Sequence, residues 1–150
     1  MKILFLLLIT LLPLFSKSIY FVQSSSNTDE LEAKIVSQVA KSFLNVPNVY
    51  IAGAEGRLTI YFSNNLNVEP DCNKANFIYI KKGSKFDINT CEYQNKIIFT
   101  DDKHTFKKNE NIFGAFFWFK SRPNVQISSK KAKALGIDIP SDYLKFMDHK

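Results

Sequence analysis

Three short runs of the sequence, NFIYI at residues 76–80, KIIFT at 96–100 and FGAFFWFK at 113–120, are apolar at almost every position. A strand with one face in water alternates apolar and polar residues. A run without that alternation suits a strand covered on both faces, as inside an α/β sheet. In the third run Phe113, Ala115, Phe117 and Phe119 point one way on a strand, while Gly114, Phe116, Trp118 and Lys120 point the other. Either helices cover both faces of this strand, or Phe116 and Trp118 form an open patch of the kind that marks an interface. The stretch is too short to span a bilayer, and the series of strands that a closed barrel requires is missing.

Helices to cover such a sheet can be read on either side of these runs. Leu31, Ile35, Val39 and Phe43 recur at fours with Val36, Ala40 and Leu44 beside them, one apolar helical face. Asn27 or Thr28 suits its cap, Asp29 and Glu30 its positive end, and Pro47 lies just past it. Residues 48–52 and 57–62 read as strands, the second from alternating Leu58, Ile60 and Phe62, with a turn at Gly53 and Gly56 between them. GAEG in that turn is not the GxGxxG of a phosphate cradle. Residues 101–112 hold a short helix or turn, and NVQIS follows as a strand after a turn at Arg122, Pro123 and Asn124. Ser129 can cap a helix through Leu135 that Gly136 stops, and Pro140 starts another. These elements predict one compact α/β domain, a mixed sheet of about five to six strands flanked by helices.

The first 18 residues read as a separate unit. Lys2 precedes an apolar run of 13 residues from Ile3 to Phe15, followed by small residues Ser16 and Ser18. That is the pattern of a secretory signal peptide cleaved after Ser18; a spanning helix needs roughly 20 apolar residues. An uncleaved anchor is the alternative. No Cys follows the run to carry a lipid. The remaining chain, residues 19–150, suits a single domain and carries 18 basic against 14 acidic residues, a net charge of +4. This mild basicity favours anionic surfaces or acidic partners, and nucleic acid is not expected without a binding module. Its two cysteines, Cys72 and Cys91, are an even number in an exported chain, which predicts a disulfide; they lack the CxxC spacing of a redox or metal pair.

Catalytic signals are sparse. His149 is one residue from the C-terminus. His104 follows Asp101 and Asp102 in a polar stretch, but HExxH, HxH and GxSxG are all missing, so a solvent-exposed loop is expected there rather than a catalytic or metal site. Thr100 and Asp101 read as a helix or turn cap. The pairs Lys81–Lys82, Lys107–Lys108 and Lys130–Lys131 read as solvated faces that folding could gather into a basic patch for an acidic partner or phospholipid head groups.

The order of features resembles the YfiR-type periplasmic regulators. The resemblance rests on CNKANFIYI (72–80), IIFTDD (97–102) and the closing segment 112–147, in which Ala132, Gly136, Ile137, Ile139, Ser141 and Leu144 match that family's ending. The chain departs from the family in having one Gly114 among aromatics instead of a double Gly, fewer cysteines, and Val46–Pro47 in place of Trp-Pro. The resemblance implies a periplasmic protein that restrains an inner-membrane signalling enzyme by binding its periplasmic part. The expectation is therefore a non-enzymatic exported binding protein without cofactor or metal, with Phe116, Trp118, Lys120 and Arg122 as partner contacts. The alternative is a small anion binder using Lys81, Lys82, Arg122 and the helix start near Ser129. A hydrolase using His104 and Asp101 is the third reading.

Overall fold

The computed structural model describes residues 28–54 and 56–148. The leader at 1–18, the Asn27 cap and His149 lie outside the described residues. The elements run α1 (Thr28–Phe43), β1 (Asn48–Ala52), α2 (Arg57–Ser63), β2 (Asn67–Val68), β3 (Phe77–Ile80), a 3-10 turn (Ile88–Thr90), β4 (Ile97–Thr100), α3 (Lys103–Lys108), β5 (Gly114–Phe119), β6 (Arg122–Ile127), α4 (Ser129–Ala134) and a 3-10 segment (Ser141–Phe146). The strands form one sheet in the order β2-β1-β3-β4-β5-β6, parallel except for the antiparallel β5–β6 hairpin. This is the mixed six-stranded α/β sheet with flanking helices that the sequence predicts.

From the β1/β3 boundary the chain runs outward to β2 on one side and through β3, β4 and β5 on the other, the doubly wound arrangement. Right-handed crossovers then put the connections of the two halves on opposite faces. Leu58 and Phe62 of α2 join Ile35, Val36 and Val39 of α1 over one face, against Phe77, Tyr79, Ile97, Phe99 and Phe116. On the other face Ile78, Ile98 and Ala115 meet Phe106 of α3, Ile112, Cys72 and Cys91. Alternate residues of β3 and β4 serve two cores, so neither run needs a polar side.

The second face is covered largely by loops, which a disulfide holds. Cys72 and Cys91 are bonded, with Cα atoms 5.9 Å apart; closing a loop of about 20 residues contributes about 3 kcal/mol on the chain-entropy account. The buried Lys96 ammonium ties the same loop, donating to the carbonyls of Cys72 (3.0 Å), Asn73 (2.8 Å) and Ala75 (2.6 Å). Three oxygens replace the water that this cation loses.

Three expectations are corrected. Residues 57–62 form α2, not a strand: Leu58 and Phe62 are buried one turn apart while Ile60 is exposed, and the crossover from β1 to its parallel neighbour β2 needs a helix. Ser128 rather than Ser129 caps α4, accepting from the Lys131 N–H at 3.2 Å. The hairpin turns at Lys120 and Ser121, immediately before the expected Arg122, Pro123 and Asn124, which belong to β6; β5 lies second from the edge of the sheet.

That turn has φ of 48° at Lys120 and 59° at Ser121, the paired positive angles of a type I′ loop. Asn-Gly occupies such a loop with far less strain. Replacing Lys120 by Asn together with Ser121 by Gly should therefore stabilise the protein by about 1 kcal/mol, read as a higher urea midpoint; an unchanged or lower midpoint contradicts the strain.

Candidate functional site: the hairpin and the cleft beside it

Only Gly114 and Ala115 of β5 pair with β4, whereas all six residues of β5 pair with β6. Beyond Ala115 the hairpin is a two-stranded projection at the carboxyl end of the parallel strands, and its faces differ. Toward α1 it presents Phe116 and Trp118 with their cross-strand partners Val125 and Pro123. The Trp118 ring stands edge-on to Phe116 at 5.7 Å and is 37% exposed. Pro123 and Val125 continue into an apolar cleft of about 160 Å³, walled by Ile35 and Val39 of α1 and by Tyr143 and Phe146 of the last 3-10 segment. Tyr143 is held there by a 2.9 Å hydrogen bond between its hydroxyl and that of Ser42 and by the Phe43 ring at 5.1 Å. Burial raises its hydroxyl above the ordinary tyrosine value, against the opposing pull of Ser42.

The other face carries Phe117 and Phe119. The Lys103 ammonium lies 4.6 Å from the Phe117 ring centre, the Lys120 ammonium 5.5 Å from that of Phe119, and Arg122 is the cross-strand partner of Phe119. Phe119 is 56% exposed.

Of the four expected contact residues, Trp118, Lys120 and Arg122 are at the surface. Phe116 is not: it is 0% exposed and belongs to the core, because the strand still lies within the main packing at that position and clears it only at Trp118. The correction leaves Phe116 as the support on which Trp118 rests.

A second cluster lies where β3 and β4 end. Lys81 bridges Glu32 of α1 at 2.6 Å and Asp101 at 2.5 Å, and the Tyr79 hydroxyl donates to the same Glu32 oxygen at 2.7 Å. Asp101 also accepts from the Lys82 backbone N–H. Burial pulls the Lys81 ammonium down, but its bonds to Asp101 and Glu32 outweigh that and hold it above the ordinary lysine value. Burial first, and then the Glu32 charge, push the Tyr79 hydroxyl well up. At the β1/β3 boundary, where doubly wound sheets take ligands, Gly53 after β1 packs closely on Ser84 of the loop after β3. A Cβ at Gly53 would come within 2.7 Å of Ser84 Cβ.

These contacts scatter the anion-binding set. Lys81 is committed to two carboxylates, the Ser129 N–H is taken by Asp148 at 2.8 Å, and Arg122 stands out on the hairpin. The expected cap lies one residue on: Asp102, not Asp101, caps α3, accepting from the N–H groups of His104 and Thr105. The Thr105 hydroxyl, with those N–H groups, lowers the Asp102 carboxyl below its ordinary value. His104 is exposed on α3, and Asp101 is bound to Lys81 instead. Among the described residues no three His, Cys, Asp or Glu side chains gather as a metal site, and no helix is long and apolar enough to cross a membrane.

Sequence reasoning missed the cleft and the Glu32 cluster. Glu32 had a signal, since it stands next to Leu31 and one turn before Val36 on the apolar side of α1. The cleft had none, because α1, β6 and the last segment meet only in the fold. Compared with known proteins, the chain matches no family model and no curated protein.

Proposed function

We propose that this chain is an exported, periplasmic, non-enzymatic regulatory protein that docks a protein partner at the inner membrane through the α1–β6 cleft and its Trp118 rim. The observation that carries this reading is the continuity of the apolar surface, from Trp118 across Pro123 and Val125 to Tyr143 and Phe146. A partner side chain entering the cleft would bury a tryptophan at its edge, the arrangement of a binding hot spot. The YfiR-type resemblance of the closing segment supports the same role, restraint of an inner-membrane signalling enzyme. The hydrolase pair His104 and Asp101 lends no weight to an enzyme, since Asp101 is bound to Lys81 while His104 is exposed on α3.

Photo-cross-linkable residues at Gln38 and Lys145, both on the cleft wall, test the proposal in intact cells. They are expected to give an adduct with one membrane protein, while the same group at Val46, which is 70% exposed, gives none. Absence of a protein adduct at both cleft positions removes the reading.

A further inference from the structure

We propose that the hairpin tip docks on an anionic phospholipid bilayer, placing Trp118 and Phe119 in the interfacial layer and Lys103, Lys120 and Arg122 among the head groups. The inference goes beyond the protein partner, whose seat is the cleft between α1 and β6; Trp118 at the cleft rim stands where partner and bilayer would meet.

Three features select a bilayer as the occupant. The tip projects past β4, so it can enter a surface end-on without the sheet colliding with it. Trp118 and Phe119 are exposed on opposite faces of the hairpin; a protein groove laid against one face leaves the other aromatic in water, whereas an interfacial layer surrounds both. Tryptophan is the residue most at home in that layer, with its apolar body inside and its N–H toward water. The third feature is charge. From Asn111 to Ser128 the chain has Lys120 and Arg122 and no acidic residue, and Lys103 joins them from α3 over Phe117. The carboxylates flanking α3 are occupied, Asp102 by the helix N-terminus and Glu110 by Lys130, and Asp142 lies on the cleft wall with Lys145 beside it rather than on the hairpin. The tip is therefore cationic around an aromatic end, complementary to an anionic leaflet, with the lysine and arginine stems able to lie along the apolar rings while their charges reach the head groups.

The processed chain purified from an expressing host is mixed with vesicles of phosphatidylcholine, with and without phosphatidylglycerol. Binding is expected on the anionic vesicles, with a blue shift and loss of acrylamide quenching of the single Trp118, and reversal by high salt. Lys120→Gln with Arg122→Gln should weaken binding on the order of tenfold, and Phe119→Ser should also weaken it while leaving thermal unfolding unchanged. Lys74→Gln with Lys133→Gln removes the same charge at the other end of the sheet and should have little effect. Equal binding to both vesicle types, or equal losses from the two charge pairs, overturns the proposal. So does a Trp118 that ignores vesicles and becomes shielded only by the membrane protein cross-linked at the cleft; in that outcome the docking reading stands and the bilayer assignment falls. Vesicle binding without any cleft adduct gives the converse.

Discussion

Lys81→Met is expected to destabilise the protein by about 3–5 kcal/mol, the usual penalty for leaving buried charge without its counter-ion. The ammonium stands between Glu32 and Asp101 at 2.6 and 2.5 Å, and both carboxylates are largely removed from water. Removing it leaves two like charges facing across its place. Glu32→Gln should cost less, about 1–3 kcal/mol, because Lys81 keeps Asp101 and the amide oxygen can still accept from Tyr79. Lys82→Met is the control: its side chain is exposed, and only its backbone N–H meets Asp101. Urea midpoints rank the three, and a Lys81→Met protein no weaker than Lys82→Met removes the cluster from any structural role. The pH dependence has a definite sign. Lys81 and Tyr79 are both raised above their unfolded values of 10.5 and 10.0, so their contribution is fully present below about pH 10 and is lost as pH rises above it. Lys81→Met should show a shallower alkaline decline than the parent.

The parts of this architecture that were legible in advance are those decided by local pattern. The apolar runs at 76–80 and 96–100 became β3 and β4 because both faces are covered, and the spacing at fours from Leu31 to Phe43 became α1. Residues 57–63 went the other way. Leu58, Ile60 and Phe62 alternate, but Leu58, Phe62 and Leu66 also recur at fours, and it is this second set that is buried. β-propensity there is overridden by the packing of α2 on α1. The candidate site was half legible. Trp118, Lys120 and Arg122 could be picked out as a surface, yet the burial of Phe116 depends on where β4 stops pairing with β5, a register that no single segment encodes. The cleft joins residues more than 100 positions apart, Ile35 and Tyr143 among them, and leaves no trace in any local window.

Gly114→Ala is expected to destabilise by about 3 kcal/mol, although in an ordinary strand interior alanine is the better residue by about 0.5–1 kcal/mol. The sign of the effect is therefore the test. A Cβ at this position would fall 2.2 Å from Phe99 Cε2 and 2.8 Å from the Gln126 carbonyl oxygen. Neither neighbour can retreat: the Phe99 ring is fully buried with Phe77 5.9 Å away, and Gln126 belongs to the ladder that pairs β6 with β5. Phe99→Leu removes the nearest atoms, so Gly114→Ala combined with Phe99→Leu should lose less than the two single changes added together, with a coupling of about 1–3 kcal/mol. The consequence reaches the hairpin. Gly114 is paired with Phe99 of β4 and Ile127 of β6, so a methyl group forced between them tilts the root from which Trp118 and Phe119 project. Gly114→Ala should then shift the Trp118 emission even under conditions where the variant remains folded, and Phe99→Leu in the same chain should return it. A Gly114→Ala protein as stable as the parent, with unchanged emission, would mean that the Phe99 ring yields and that the hairpin is not wedged at its base.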